Sequence, residues 1–383
     1  MTDKLFEEFT DKYLLDLNDT WENADSEGKK RVSARHFDLL NSGANEWNDF
    51  IEEIVNFAKG NEYLLDLISF NFINEKISIN NLKGYDFRFT MKFENVEFEE
   101  DLDFSFSTFQ SQIFFENVKF NKKLTLSNSP SEKLIGFHNC EFFDELFIGK
   151  LNFSDDIVFN SCTFYDDFIF ISNKVKGMLI IDDSYFKKIL PDLRGSRFEI
   201  PVVVSDFKYD EKNIIEWIEA EQYLPQNTSR FRVLKDFAQQ NNDHLTALKY
   251  FSYEMKSEEK TKDQFSFISL SYRLLSNYGR SVVRPLISLL LIIGFFLIVN
   301  FSIIEGNDSN CNTRFNSILI ITINNSIPFN LAFDKPTIDC AHMVYGTGER
   351  RPLSYQVLDL AQKILSYLVW FLLVLSLRNR FKI

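Results

Sequence analysis

Histidine, cysteine and positive charge are scarce in this sequence, and their scarcity limits what the protein can do. The 383 residues include four histidines in unlike segments, spaced neither as metal ligands nor as a catalytic triad: His36, His138, His244 and His342. No phosphate-binding loop is present, because Gly346-Thr347-Gly348 lacks the residues that continue such a motif. We therefore expect no enzyme, no catalytic residue, no metal site and no cofactor.

Basic residues are outnumbered, with 42 Lys and Arg against 55 Asp and Glu, so the formal net charge is −13. No basic patch is interleaved with aromatic residues, and direct nucleic-acid binding is therefore not expected. The first residues contain no basic stretch that leads into an apolar core, so we expect no secretory signal peptide.

Phenylalanine, by contrast, is abundant and periodic. Two sets of positions recur every 11 residues: Leu82, Phe93, Phe104, Phe115, Leu126, Phe137, Ile148, Phe159, Phe170 and Ile181, and Phe87, Phe98, Phe109, Phe120, Ser131, Phe142, Phe153, Phe164, Val175 and Phe186. Fourteen of these 20 positions are Phe, whereas random placement would give about two. Self-similarity at a fixed period indicates a stacked repeat protein.

Further columns precede both sets by two residues. The column before the first set is apolar, from Met91 to Leu179, and the column before the second set is mostly small, with Ser107, Cys140 and Cys162. Inward residues at i and i+2 indicate strands rather than a helix. Eleven residues cannot close a four-sided coil, so we expect two units, about 22 residues, per turn and roughly five turns over a length on the order of 25 Å.

This pattern resembles the pentapeptide-repeat family, on stretches such as Phe137–Phe142 (FHNCEF) and Phe159–Phe164 (FNSCTF). The resemblance covers about a third of the chain and implies a right-handed quadrilateral β-helix, with a large residue at each repeat centre and a small one two before it. The sequence departs from the pattern at Ser131, beside Pro130, and at Lys174–Gly177, where we expect a bulge or loop.

Polar residues recur at the expected corners of this coil. Asn95, Asn117, Asn128 and Asn139 form either turns or a recognition ladder, and we favour turns. The acidic pairs Asp144-Glu145, Asp155-Asp156 and Asp166-Asp167 are interpreted as solvated corners. The alternative is an acidic ridge like that of soluble family members that mimic DNA and bind topoisomerases.

Helical segments flank the coil. We expect residues 1–80 to form a helical cap over the open first turn of a β-helix at 81–207, and residues 208–284 to form a helical connector. The connector resembles that of membrane-attached family members through Arg230–Lys235 (RFRVLK) and Ala247–Glu254. Arg230 and Glu254 are either functional contacts or salt bridges.

Residues 285–383 are expected to form a membrane domain with spans at about 286–304 and 355–377. Basic residues flank the outer ends of both spans: Arg273, Arg280, Arg284, Arg378, Arg380 and Lys382. The positive-inside rule then places both termini in the cytoplasm of a bacterium, with residues 305–354 outside its inner membrane. Cys311 and Cys340 in that loop are expected to form a disulfide, unless two cysteines simply happen to lie there, whereas Cys140 and Cys162 should be reduced.

Between the spans, residues 315–329 are apolar but too short to cross and return, which predicts a re-entrant segment with a half helix to about Asn325 and a turn at Pro328. The alternative is an interfacial loop packed on two anchor helices. The order of these parts resembles that of pentapeptide-repeat membrane proteins with a channel-like C-terminus. No TVGYG-type filter is present, so no ion selectivity is implied. The predicted constriction residues are Asn324, Asn325, Ser326 and Pro328, with Asp359 and Lys363 at the pore mouth.

The predicted fold is therefore multidomain: a β-helix flanked by α-helical segments, plus a two-helix transmembrane domain with a re-entrant loop. The leading hypothesis is an ion-channel-like homo-oligomer, tetrameric by layout, in contact with membrane lipid and with the cytosolic β-helix as sensor or gate. The alternative is a membrane-anchored scaffold whose β-helix binds a cytosolic protein partner while the spans only tether. A topoisomerase-directed DNA mimic is a third hypothesis.

Overall fold

The computed structural model describes residues 16–17, 26–57, 68–131, 133–220, 228–261, 267–304, 314–328 and 353–381. The chain divides into two compact units, Met1–Ala247 and Leu248–Ile383, each of which is described by itself. The division falls inside the connector predicted at residues 208–284.

A parallel β-solenoid of about six turns forms the centre of the first unit. The strands of this unit, in chain order, are β1 (Asp16–Leu17), β2 (Ile68–Ile73), β3 (Lys76–Ile77), β4 (Asp86–Phe87), β5 (Thr90–Glu94), β6 (Glu97–Phe98), β7 (Leu102–Asp103), β8 (Thr108–Phe109), β9 (Ile113–Glu116), β10 (Lys119–Phe120), β11 (Leu124–Ser127), β12 (Pro130–Ser131), β13 (Ile135–His138), β14 (Glu141–Phe142), β15 (Leu146–Gly149), β16 (Asn152–Phe153), β17 (Ile157–Asn160), β18 (Thr163–Phe164), β19 (Phe168–Ile171), β20 (Lys174–Val175), β21 (Leu179–Asp182), β22 (Tyr185–Phe186), β23 (Arg197–Phe198) and β24 (Lys208–Tyr209). Helices α1 (Ser26–Asn41) and α2 (Ala44–Phe57) lie between β1 and β2, and α3 (Glu211–Glu219) and α4 (Thr228–Gln240) follow β24.

Successive strands visit four sheets in a repeating order: β9, β10, β11 and β12 belong to four different sheets, and β13 returns to the sheet of β9. Ile135 pairs with Ile113 on one side and with Ile157 on the other, 22 residues away in each direction. The prediction of two 11-residue units per turn is therefore confirmed. The coil has more than the roughly five turns predicted, because β2 and β3 precede the periodic stretch and β23 and β24 follow it.

Phenylalanine rings one turn apart stack face to face inside the coil. The ring centroids of Phe115 and Phe137 are 4.8 Å apart, as are those of Phe137 and Phe159, with interplanar angles of 5° and 0°. Hydrogen-bonded strands are also spaced by about 4.8 Å, so ring stacking and backbone pairing share one repeat distance. Phe142, from the second set, meets Phe137 edge to face at 5.6 Å and joins the two stacks into one core.

The corners use left-handed backbone conformation at a regular spacing. From Gly84 onward, φ is positive at every eleventh residue: Asn95, Phe106, Asn117, Asn128, Asn139, Lys150, Ser161, Ser172 and Asp183. Glycine and asparagine tolerate this conformation better than most residues, since bulkier side chains crowd the backbone there. The interpretation of the four asparagines as turn residues is therefore confirmed.

The column of small residues satisfies buried carbonyl groups. Ser107 Oγ donates to Leu82 O at 2.6 Å, and Cys140 Sγ donates to Phe115 O at 3.4 Å, each across one turn of the coil. A larger apolar side chain at these positions would leave the carbonyl without its partner. Cys140 and Cys162 are buried and free, as predicted, and burial raises the pKa of the Cys140 thiol well above its ordinary value.

Neither of the two departures from the sequence pattern interrupts the coil. Ser131 pairs with both Phe109 and Phe153, so β12 continues the sheet without a break. The bulge expected at Lys174–Gly177 is wrong, because β20 pairs in register with β16. The extra residue lies instead between Phe186 and Asp192, since Asp192 bridges to Ile169, 23 residues before it.

Side chains of α1 and α2 bond to the backbone of the first turn. Ser33 Oγ accepts from Ile73 N at 2.8 Å, and Trp47 Nε1 donates to Asp86 O at 2.9 Å. These backbone groups face the open end of the coil, where an unpaired strand edge would invite pairing with other chains. The coil itself begins at β2, earlier than the predicted boundary at residue 81.

The second unit is helical. It begins within α5 (His244–Thr261) and continues with α6 (Phe267–Ser276), α7 (Val283–Ile304), α8 (Arg314–Ser326) and α9 (Leu353–Phe381). Helices α7, α8 and α9 pack against one another. The half helix predicted to end at about Asn325 corresponds to α8, which ends at Ser326.

Candidate functional site

Helices α7 and α9 each contain a stretch long and apolar enough to cross a membrane, Val283–Ser302 and Gln356–Arg380. Their exposed sides carry large apolar side chains: Leu286, Ile287, Leu290, Leu291, Phe295, Ile298 and Phe301 on α7, and Val357, Leu360, Ile364, Leu365, Leu368, Phe371 and Val374 on α9. Their buried sides include Asn300 on α7, and Gln362 and Ser366 on α9. A helix of a soluble protein has the opposite distribution, with its polar side in water.

The C-terminal end of α8 is bonded to α9. Gln362 Nε2 donates to Thr322 O and to Ser326 Oγ, both at 2.8 Å, and Trp370 Nε1 donates to Ser326 O at 2.9 Å. The last carbonyl groups of a helix have no partner within the helix, and here that of Ser326 receives a side-chain donor from α9. The position and direction of this helix end therefore depend on Gln362 and Trp370.

Two of the predicted site residues are in direct contact. Asn325 Nδ2 donates to Asp359 Oδ1 at 3.0 Å, which joins a predicted constriction residue to a predicted mouth residue. The side chain of Asn325 is buried and Asp359 is half-buried, whereas Lys363 is exposed. The sequence identified Asp359 and Asn325 as separate candidates. Their hydrogen bond could not be predicted, because it depends on how α8 packs on α9.

Asn300 links the third helix to the same cluster. Asn300 Nδ2 donates to Thr322 Oγ1 at 3.1 Å, and both residues are buried. Sequence reasoning passed over Asn300, Thr322 and Trp370 as site residues. A signal was present for Asn300, because an amide inside an otherwise apolar span is costly unless it has a partner.

The four predicted constriction residues differ in their surroundings. Asn325 and Ser326 are buried against α9, Asn324 is half-buried and Pro328 is exposed. Cys311 and Cys340, for which a disulfide was predicted, lie outside the described residues.

The segment before the first long apolar helix lies close to the C-terminal end of the second in this unit. Gly279, between α6 and α7, has φ +80°, and a Cβ on it would lie 2.8 Å from Asn379 Nδ2 and 2.8 Å from Tyr272 Oη. A side chain at position 279 would therefore meet both α6 and α9. Arg273, one of the basic residues before the first span, pairs with Glu259 of α5 at 2.9 Å.

No family model, curated protein or solved structure matches this chain. The resemblance to pentapeptide-repeat proteins therefore rests on the period itself and on the solenoid that it forms.

Arg230 in the first unit is paired with acidic side chains of the solenoid. Its side chain is buried, with Nη1 3.3 Å from Asp167 Oδ1 and Nη2 3.7 Å from Asp192 Oδ2. Arg194 also bonds to Asp192, at 2.6 Å. Burial raises the pKa of Asp192, but the bonds from Arg194 and the charge of Arg230 outweigh it and lower that pKa overall. Between the two interpretations of Arg230, these contacts favour the salt bridge.

A groove on the outer face of the solenoid is a second candidate site. It has a volume of about 470 Å³ and is lined by Asn71, Ile73, Lys92, Phe93, Glu94, Phe114, Glu116 and His138. The groove presents charges of both signs beside the aromatic side chain of Phe114.

Proposed function

We propose that this protein is an oligomeric, ion-channel-like protein of the bacterial inner membrane, with a cytosolic sensor or gate in the form of a right-handed quadrilateral β-helix of the pentapeptide-repeat type. The observation that carries the proposal is the bonded C-terminal end of α8, held by Gln362 and Trp370 against a long apolar helix. A channel needs such a fixed half helix, because a mobile one would not hold a constriction at constant width.

Helices α7 and α9 are the two spans, and their exposed apolar sides face lipid. The 13 residues of α8 reach about 20 Å, too short for a hydrocarbon core of about 30 Å, so α8 is the re-entrant segment. The basic flanks place both termini in the cytoplasm. This orientation predicts that Cys311 and Cys340 react with an impermeant alkylating reagent outside intact cells only after reduction.

Two spans and a half helix cannot enclose a pore, so the active form is a homo-oligomer, with fourfold symmetry suggested by the layout. Asn324 and Pro328 line the constriction, since they retain exposed surface in one protomer. Asn325 and Ser326 support it through α9, and Asp359 and Lys363 lie near its mouth.

Planar-bilayer recording of the purified full-length protein tests this function. We expect single-channel currents, an oligomer in detergent, and a conductance altered by Asn324→Asp but not by Ser302→Ala, which changes an exposed residue of α7. A monomer in detergent that conducts no ion under any gradient would contradict the proposal.

The second candidate function is a membrane-anchored scaffold, and the groove beside Phe114 favours it. In that case, Phe114→Ala would abolish capture of a specific cytosolic protein. Replacing residues 285–383 with an unrelated membrane anchor would leave function intact. The channel function predicts loss of activity in that exchange. Unchanged gyrase supercoiling in the presence of the protein would exclude the DNA-mimic hypothesis.

A further inference from the structure

The orientation of the Asn300 amide is determined by its neighbour Thr322. Thr322 Oγ1 donates its only proton to Ile318 O at 2.8 Å, so it can only accept from Asn300, and the atom 3.1 Å away must be Nδ2. Asn300 Oδ1 therefore points away from Thr322. Asn300 is 1% exposed, and its Oδ1 has no hydrogen-bond partner among the residues that the structure describes.

The Gln362 amide is fixed in the same way. Thr322 O can only accept, so the amide atom 2.8 Å from it must be Nε2, and the second proton of Nε2 serves Ser326 Oγ. Gln362 is fully buried, and its Oε1 is left without a partner within the described part of the chain. Ser366 Oγ, one helical turn further along α9, is likewise fully buried and unpartnered there.

The residues that carry these three oxygens are neighbours, because Asn300 and Gln362 both bond to Thr322 and Ser366 follows Gln362 on the same buried face. An amide carbonyl or hydroxyl left unpaired in such surroundings destabilises the folded protein, and the cost repeats for each group. A ligand that accepts lone pairs from all of them at once would remove it. Amide and hydroxyl oxygens are ligands for hard cations, which prefer oxygen to nitrogen or sulfur.

The charge of the surrounding side chains indicates which hard cation the site would bind. The carboxylate of Asp359, one turn before Gln362, is the single acidic side chain in the described part of the α7–α8–α9 helices near this cluster. One carboxylate balances one positive charge, whereas a divalent ion would leave an uncompensated charge in a buried site. We infer that Asn300 Oδ1, Gln362 Oε1 and Ser366 Oγ bind a monovalent alkali cation between α7 and α9, with Asp359 as the counter-charge.

The site lies within one protomer and requires neither an oligomer nor conduction, so its test is separate from that of the proposed function. A bound cation stabilises the folded protein in proportion to its occupancy. The experiment measures Tm of the full-length protein in detergent, at constant ionic strength, in NaCl, KCl or N-methylglucamine chloride. We expect a saturable rise of a few degrees in at least one alkali salt over the bulky organic cation.

Variants locate the effect. Asn300→Leu and Gln362→Leu are expected to lose the alkali-dependent rise, and Ser302→Ala, on the exposed side of α7, is expected to keep it. If a leucine variant fails to fold, Asn300→Asp tests the site instead. Its carboxylate is also an oxygen ligand, so the alkali-dependent rise in Tm should become larger. The same Tm in all three salts would mean that water alone fills the site, and would overturn the inference. A rise that survives in both leucine variants would overturn it as well.

Discussion

Nδ1 of the His36 imidazole lies 3.0 Å from both the backbone N and the backbone O of Asn71. Asn71 lies in β2, two residues after Ser69, which pairs with Asp16 of β1. A ring without a proton on Nδ1 accepts from the Asn71 N–H, whereas a ring protonated at Nδ1 donates to the Asn71 carbonyl. Burial lowers the pKa of His36 to about 4, against a smaller opposing effect of the hydrogen bond with Asn71.

This relationship predicts that the first unit loses stability in mild acid. The pKa of His36 is about 4 in the folded protein and 6.5 in the unfolded chain. The unfolded chain therefore binds a proton first as the pH falls. The stabilisation is complete above pH 6.5 and is lost between pH 6.5 and pH 4, by roughly 3 kcal/mol in total. Urea unfolding followed by circular dichroism at pH 7 and pH 5 measures it.

His36→Gln is the informative variant, because glutamine supplies an acceptor that does not titrate. It should reduce the loss of stability between pH 7 and pH 5, whereas His138→Gln, on the half-exposed outer face, should not. An unchanged pH dependence in His36→Gln would assign the effect to another group.

The corner at Asn117 predicts a strong preference among substitutions. Its φ is 54°, which a β-branched residue adopts only with strain, so Asn117→Val should lower the free energy of unfolding by about 1–3 kcal/mol. Asn117→Gly should change it by less than about 1 kcal/mol. Thermal unfolding of both variants, with Lys119→Val on the neighbouring strand as the control, distinguishes corner strain from loss of the side chain. Equal effects of valine and glycine would rule out backbone strain.

Two glycines in the second unit predict opposite results for the same substitution. Gly279→Ala places a Cβ against Asn379 and Tyr272 at a positive φ, so it should lower the free energy of unfolding by about 1–3 kcal/mol. Gly294 lies within α7 with open space around its Cβ position, so Gly294→Ala should be neutral or slightly stabilising. Tm values of the two variants in detergent give the comparison. A neutral Gly279→Ala would mean that Asn379 and Tyr272 are free to move aside.

Trp370→Phe tests whether the end of α8 must be held in place. The variant keeps an aromatic ring but removes the N–H that bonds to Ser326 O, so the free energy of unfolding should fall by about 1–3 kcal/mol. If the protein conducts, the open state should also become unstable, with shorter openings in bilayer recordings. Phe371→Leu, on the exposed side of α9, is the control. If the openings of Trp370→Phe last as long as those of the wild type, the bond between Trp370 and Ser326 has no role in gating.

Much of the solenoid could be predicted because its interactions repeat with the sequence. Phe137 contacts Phe115 and Phe159, one turn away in each direction, so the period of the sequence is also the period of the contacts. The extra residue between Phe186 and Asp192 escaped prediction, since a coil can absorb one residue at any corner without changing which side chains face inward.

The 22-residue turn, the turns at the four asparagines and the two long apolar helices could be predicted from the sequence alone, because each follows from local spacing or composition. Helix packing, by contrast, is what bonds Gln362 and Trp370 to the end of α8, Asn325 to Asp359, and Asn300 to Thr322. These partners lie on different helices, and no period relates them. Their pairing depends on how the helices pack, which brings donors and acceptors together across distances that sequence spacing does not encode.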